Sequence, residues 1–245
     1  MPEAIDPEKL AKMTESEVAQ LIEYHDKRYW ELGEPEISDE EYDLLTRRLE
    51  KLNPEHPLLL RIGAPSVAGT GKVKHKKPML SLDKVYSLEE LMEWAKKSAR
   101  RTDEEFVIQP KYDGISANFD GSVLATRGDG EEGENITDKI PLIELESTGY
   151  KGPLNRPARG EIVIRDDDFK TIYQHIMKKD GRPYKNSRNA VAGIMGLKDI
   201  SDMRRQNAKL TLIDYSMISE KVTLSEFKDR WPSILEKLEN LPYPM

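Results

Sequence analysis

Four short stretches of this 245-residue sequence carry residue types that could do chemistry together. The first is Lys111-Tyr112-Asp113-Gly114, set between two β-rich runs, 105–109 and 115–119. A lysine that ends a buried strand loses hydration, which disfavours its charged form and makes the neutral amine available as a nucleophile. The glycine permits a sharp turn or a close ligand approach. Taken alone, the pattern fits an exposed turn lysine better than a nucleophile.

The second stretch is Thr126-Arg127-Gly128-Asp129-Gly130, followed by Gly133-Glu134-Asn135-Ile136-Thr137. Backbone N–H groups of such a turn bind phosphate oxygens, with Arg127 as a fork-shaped donor; a flexible acidic hairpin tip is the plainer reading. The third, Arg159-Gly160-Glu161, leads into a strand candidate at 162–164. Its carboxylate could accept hydrogen bonds from a ribose, or be an ordinary surface glutamate. The fourth, Asn186-Ser187-Arg188-Asn189-Ala190-Val191-Ala192-Gly193, has polar ends around a small-residue centre. That suits backbone packed close to a ligand, and equally a loop leading into a helix.

The elements that must position these residues change character along the chain. The first sixty residues read as helices. Asp6-Pro7 supplies an N-cap with proline at the first helical position, and Thr14 with Glu17 and Ser38 with Glu41 are capping-box pairs. Tyr42, Leu45, Leu49 and Leu52 share one helical face, ended by Asn53-Pro54. Residues 60–77 read as a linker, and Ser87 with Glu90 opens another helix. Strands then follow at 105–109 and 115–119, with an Asp120-Gly121 turn into 122–127, and again at 162–164 and 209–218. A helix capped by one of Asp166–Asp168 follows the fourth of these strands. A last helix begins at Thr223 with Glu226 and is interrupted or offset at Pro232. Hairpins mixed with helices imply an α+β enzyme.

Composition narrows the classes. No apolar run approaches the roughly 20 residues of a bilayer span, and the acidic N-terminus lacks a signal-peptide core. The reading is a cytoplasmic protein without a membrane partner. Without cysteine, disulfides, thiolate zinc sites and cysteine nucleophiles are excluded within the sequence. Histidines at 25, 56, 75 and 175 are too scattered to suggest a metal cluster. Residues 1–65 hold 8 basic and 16 acidic side chains, and the remainder 30 and 29, a shift that suggests two units with different partners. Residues 178–205 carry eight basic and three acidic residues, enough to contact phosphates or to form a solvated face.

In this order the four stretches resemble the NAD-dependent DNA ligases of bacteria. The adenylation domain of that family carries lysine–any–aspartate–glycine, a TRGDG…GE hairpin, an RGE strand and an N-P-R-N-A-A-A-G segment. Residues 78–86, PMLSLDKVY, are similar to its PMLSLDN segment. Tyr29 and the run Pro35-Glu36-Ile37-Ser38-Asp39-Glu40-Glu41-Tyr42-Asp43 are similar to the small helical domain that grips the nicotinamide mononucleotide half of NAD. ATP-dependent ligases lack that domain. The resemblance implies a helical nicotinamide-mononucleotide-binding domain over 1–65. It implies an adenylation (nucleotidyltransferase) domain over 66–245, of mostly antiparallel sheets with helices and lacking its last strands.

The resemblance also implies roles. Lys111 would attack the adenylyl phosphorus of NAD, leaving lysine–AMP and releasing nicotinamide mononucleotide. Glu161 would hold the ribose, Arg127 would position the nucleotide, and Asp113 would support the lysine. Ser81 and Leu82 would border AMP, and Arg188 would lie near AMP or DNA. Tyr29, Trp30, Asp39, Tyr42 and Asp43 would close over the nicotinamide nucleotide, although Tyr42 also suits a core position. NAD is the implied substrate, Mg2+ would offset phosphate charge, and no zinc is expected.

Four residues depart from the family pattern. Gln109 stands where a glutamate helps read adenine, Trp30 replaces a histidine, Ser187 a proline and Gly196 an arginine. The family's DGVVIK strand, a second lysine-bearing strand and the DNA-binding modules are not present. The reading is therefore the adenylation subunit of a split phage-type ligase, acting on nicked duplex DNA in a host cytoplasm with a second subunit supplying the missing strands, lysines and DNA clamp. A fragment of a full-length ligase and a non-catalytic NAD-binding regulatory module are the alternatives.

Overall fold

The computed structural model describes residues 5–28, 36–60, 71–80, 82, 84–101, 103–178, 181–217 and 220–243, with the backbone alone for Asp39, Leu60, Lys228 and Glu239. The chain divides into two compact units, residues 1–80 with 127–134, and residues 81–126 with 135–245.

In the first unit, Asp6 caps α1 (Pro7–Lys12), its carboxylate accepting the Glu8 N–H at 2.9 Å. Thr14 and Glu17 close a reciprocal box at the start of α2 (Glu15–Asp26), as do Ser38 and Glu41 at the start of α3 (Asp39–Leu52). Each box satisfies N–H groups that a helix start leaves open. Glu41 also accepts the Ile5 N–H at 3.0 Å, holding the segment before α1 to α3. Leu10, Val18, Ile22, Leu45 and Leu49 form the core of these helices, with Leu58 and Leu59 of α4 (Pro57–Leu60) against it. Leu52 does not join its predicted face. It is the last residue of α3, outside the cluster that α1 and α2 cover, and 36% exposed.

The segment read as a linker contains a strand. β1 (Lys72–Lys74) pairs antiparallel with β5 (Glu132–Glu134), Val73 opposite Gly133. A three-residue, lysine-rich strand has no hydrophobic alternation to announce it. Its extended state comes from a partner about sixty residues on.

The second unit is built on a six-stranded sheet of β3 (Ile115–Phe119), β4 (Leu124–Thr126), β6 (Ile143–Ser147), β7 (Tyr150–Pro153), β8 (Ala158–Val163) and β9 (Leu210–Asp214). Their order is β4-β3-β8-β9-β6-β7, antiparallel except for β6 beside β9. Ala117, Leu145, Ile162, Leu210 and Leu212 are fully buried in its core. Ala190, Val191 and Ile194 of α7 (Ser187–Met195) join them, so the small-residue stretch of the fourth motif is a helix face packed on the sheet. The buried Tyr173 hydroxyl donates to the Lys209 carbonyl at 2.6 Å, which satisfies a polar atom that would otherwise weaken the core.

A second, two-stranded sheet pairs β2 (Glu105–Ile108) with β10 (Glu220–Thr223). Leu91 of α5 (Leu88–Ser98) and Phe227 and Ile234 of α9 (Phe227–Glu239) pack on Phe106, Ile108 and Val222. This architecture is the expected α+β class.

Several local expectations are corrected. β6, β7 and β10 escape a sequence reading because Glu, Pro, Gly and Lys dilute their apolar residues, and pairing decides them instead. Asp166–Asp168 form the first turn of α6 (Asp166–Thr171) instead of its cap; Arg165 holds the cap position, and the helix dipole favours the carboxylates. α9 continues through Pro232, packed on β10 by Phe227, Trp231 and Ile234. The remaining short helix is α8 (Ser201–Arg205). Among the described residues, no helix is long and apolar enough to cross a membrane.

Leu45→Ala is expected to cost about 2–5 kcal/mol in the stability of the helical unit, and Leu52→Ala under about 0.5, by chemical denaturation. Burial lowers the pKa of His25 below its ordinary value, against the opposing pull of Glu36, Glu41 and Asp26. Protonation is then favoured in the unfolded chain, so stability present above about pH 6.5 falls as the pH drops below it. Thermal melts at about pH 7.5 and about pH 5.5 should show a smaller loss in His25→Gln than in the wild type.

Candidate active site

The second unit gathers Gln109, Lys111, Asp113, Glu161 and Arg188. Lys111 lies in the segment between β2 and β3. It is exposed and does not end a buried strand, because β2 stops at Ile108 and Pro110 follows. Its neighbours are held more firmly. Asp113 accepts from Arg188 at 2.9 Å, which joins the lysine segment to the start of α7. Tyr112 lies edge-to-face against Tyr243, ring centroids 5.8 Å apart, in a small cluster with Val163, Ile213 and Met217. The Tyr243 hydroxyl donates to Glu146, and the Arg165 guanidinium lies 5.2 Å from the Tyr243 ring centroid. Burial raises the phenol pKa of Tyr112 and of Tyr243.

Gly114 places the lysine segment against Glu161. A Cβ at residue 114 would fall 2.2 Å from the Ile162 carbonyl oxygen and 3.0 Å from Cγ of Glu161, so only glycine lets these strands approach. Gly160 makes the matching approach on the other side, where a Cβ would lie 1.9 Å from the Ile213 carbonyl oxygen.

Glu161 is buried, 9% exposed, in the middle of the sheet. Its Oε2 accepts the Ser116 hydroxyl at 2.7 Å and the Tyr215 hydroxyl. Ser116 and Tyr215 also lie 2.9 Å apart, oxygen to oxygen. A buried carboxylate needs such donors. With Oε2 occupied twice, Oε1 remains for a ligand hydroxyl. Ser116 and Tyr215 were not among the sequence-derived candidates. They lie 45 and 54 residues from Glu161, and only strand pairing relates them. Gln109 donates to the Tyr215 carbonyl at 2.7 Å and to the Met217 carbonyl. Leu82 is 85% exposed.

The first unit holds the remaining candidates. The Tyr42 hydroxyl donates to Asp26 at 2.7 Å, and burial together with that carboxylate pushes its pKa up. Tyr42 also packs against the helical core, so its two sequence readings coexist. Asp43 is buried beside it in α3. Glu36 accepts from Tyr24 at 2.8 Å and pairs with Arg28 at 2.7 Å. Arg127 follows β4 and enters the turn before β5, its carbonyl accepting the Gly130 N–H at 3.0 Å with the His75 ring 3.2 Å away. The Asp129 carboxylate accepts the Glu131 and Glu132 N–H groups, and the bond from Glu132 does most to hold its pKa low. Tyr29, Trp30, Ser81 and the Asp39 side chain lie outside the described residues.

Comparison with known proteins places both parts of the sequence in one family. Residues 68–243 match the model of the NAD-dependent DNA ligase adenylation domain, and residues 8–68 that of the DNA ligase-like, N-terminal NAD+-binding domain. Curated relatives include the DNA ligase of Endomicrobium trichonymphae, 36% identical over 76% of this chain and 29% of its own length. The DNA ligase of Thermotoga neapolitana is 38% identical over 71% of the chain and 27% of its length, and that of Hydrogenobaculum sp. 32% identical over 88% and 33%. The chain thus spans about a third or less of these relatives. With both domain models matched in succession along it, this chain belongs to the NAD-dependent DNA ligase family.

Proposed function

We propose that this chain carries out the first step of NAD-dependent nick sealing, the transfer of AMP from NAD to Lys111. The observation that carries the reading is the contact of the lysine segment with Glu161 through Gly114, where a Cβ would come within 3.0 Å of the glutamate stem. A nucleophile and a ribose-holding carboxylate must lie close together to act on one nucleotide.

The Lys111 nitrogen lone pair attacks the adenylyl phosphorus. The bond from that phosphorus to the bridging oxygen breaks, nicotinamide mononucleotide leaves with the electron pair, and the surplus amine proton passes to solvent. Glu161 accepts from the ribose, and the Asp113–Arg188 pair fixes the loop. Arg127 positions the phosphates, Ser81 and Leu82 border AMP, and Tyr29, Trp30, Asp39, Tyr42 and Asp43 contact the nicotinamide nucleotide. The helical N-terminal match supports NAD over ATP as the donor.

Magnesium, when bound, offsets phosphate charge. Among the described residues, no three His, Asp or Glu side chains gather to hold a metal, so the fit is to the nucleotide's phosphates with one or two carboxylates. Sealing nicked duplex DNA draws on polypeptide beyond this sequence, in a second subunit or a longer form of the protein. The short span of the relatives that it matches supports that division.

Intact mass after incubation with NAD and magnesium is expected to rise by one adenylyl group, and Lys111→Ala should show no rise. An equal gain in Lys111→Ala would overturn the assignment. NAD binding with no adduct, even beside a completing subunit, would favour a non-catalytic regulatory module. The chain alone should seal no nicks in a gel assay, and robust sealing would refute the need for further polypeptide. Arg188→Ala should slow adduct formation about tenfold while leaving the melting temperature nearly unchanged, since a half-exposed ion pair contributes about 1 kcal/mol or less to stability.

A further inference from the structure

Gln109 is tied to backbone by its amide nitrogen. Its amide nitrogen faces the Tyr215 carbonyl oxygen at 2.7 Å and the Met217 carbonyl oxygen as well. Both partners are acceptors only, so the NH2 end must be the one that meets them, and its two N–H donors are both used. A carboxylate at this position could donate to neither carbonyl and would set its own lone pairs against theirs.

The two carbonyls belong to the corner that follows β9. That corner also carries short-range bonds, Met217 N–H to the Asp214 carbonyl at 3.0 Å and Ser216 N–H to the Asp214 carboxylate at 2.8 Å, a bond from Tyr215 N–H to the Arg159 carbonyl at 2.9 Å, and the packing of Met217 in the Tyr112 cluster. The same corner aims the Tyr215 hydroxyl at Glu161 Oε2, beside Ser116. Gln109 is therefore the side chain that joins the end of β2 to the backbone from which Tyr215 reaches Glu161.

We infer that Gln109 is a positioning residue that clamps the 215–217 corner and, through Tyr215, orients Glu161. This rests on the adenylate reading of the site. It means that the amide, where the family pattern has a carboxylate, ties two parts of the nucleotide-binding unit together.

The test measures AMP and IMP affinity by calorimetry on the whole chain, for the wild type, Gln109→Glu, Gln109→Ala, Tyr215→Phe and the double variants. IMP lacks the exocyclic amine, so reading of the base registers in the AMP-to-IMP ratio. Backbone hydrogen exchange at residues 215–217 is followed in the same proteins at one pH. Gln109→Glu is expected to weaken both nucleotides alike, about tenfold, and to speed exchange at the corner, with little further loss when added to Tyr215→Phe. Gln109→Ala, which removes the clamp without adding charge, should act in the same direction. An AMP-to-IMP ratio that shifts severalfold in Gln109→Glu, full additivity with Tyr215→Phe, or unchanged exchange in both variants would overturn the inference. If wild-type protein bound neither nucleotide, the adenylate reading would fail, and the exchange result would still decide the clamp.

Discussion

The close approach of β3, β8 and β9 is the constraint on which the site depends. It is possible only because Gly114 and Gly160 present no Cβ to the Ile162 and Ile213 carbonyl oxygens. Side chains alternate along a strand, so the pairing of Ser116 with Glu161, and of Glu161 with Ile213, sets Ser116, Glu161 and Tyr215 on one face. Tyr215 lies two residues beyond Ile213 and reaches Glu161 diagonally, the distance over which long side chains meet across a sheet. A larger residue at either glycine would separate the strands and the hydroxyls from the carboxylate together.

Beside that centre the lysine segment is anchored at the two residues that follow exposed Lys111. Tyr112 is fixed below by the Tyr243 cluster, and Asp113 is fixed laterally by Arg188. In the proposed reaction, an accessible amine followed by tethered residues suits a group that must meet a phosphorus and then carry the product. The Tyr243 contact also joins the end of the chain to this centre, through Glu146 on β6 and Arg165 after β8.

The helical unit is organised by polar contacts of another kind. The starts of α1, α2 and α3 are closed by side-chain caps, and two of its acidic residues are engaged with tyrosines and an arginine: Asp26 with Tyr42, and Glu36 with Tyr24 and Arg28. The negative balance of the first 65 residues is therefore partly internal hydrogen bonding and not free surface charge. Tyr42 shows how one residue serves both purposes, its ring against the core and its hydroxyl on a carboxylate.

Local chemistry made much of this protein legible without coordinates. The capping residues Asp6, Thr14, Ser38 and Ser87 each act within a few positions of themselves, and the Asp120-Gly121 turn is likewise a short-range device, so composition and spacing suffice to find them. The motif order from Lys111 to Arg188 was also readable, because the residue types themselves carry the resemblance. What the sequence could not reveal is long-range. The β1–β5 pair, the strands β6, β7 and β10, the exposure of Lys111 and Leu52, the convergence of Ser116 and Tyr215 on Glu161, and the bonds of Gln109 to the 215–217 corner all depend on partners tens of residues away. The types and spacing of residues determined the helix caps, the fold class and the family, and tertiary pairing alone decided which hydroxyls surround the carboxylate, since a side chain's partners are set by strand register and not by its sequence neighbours.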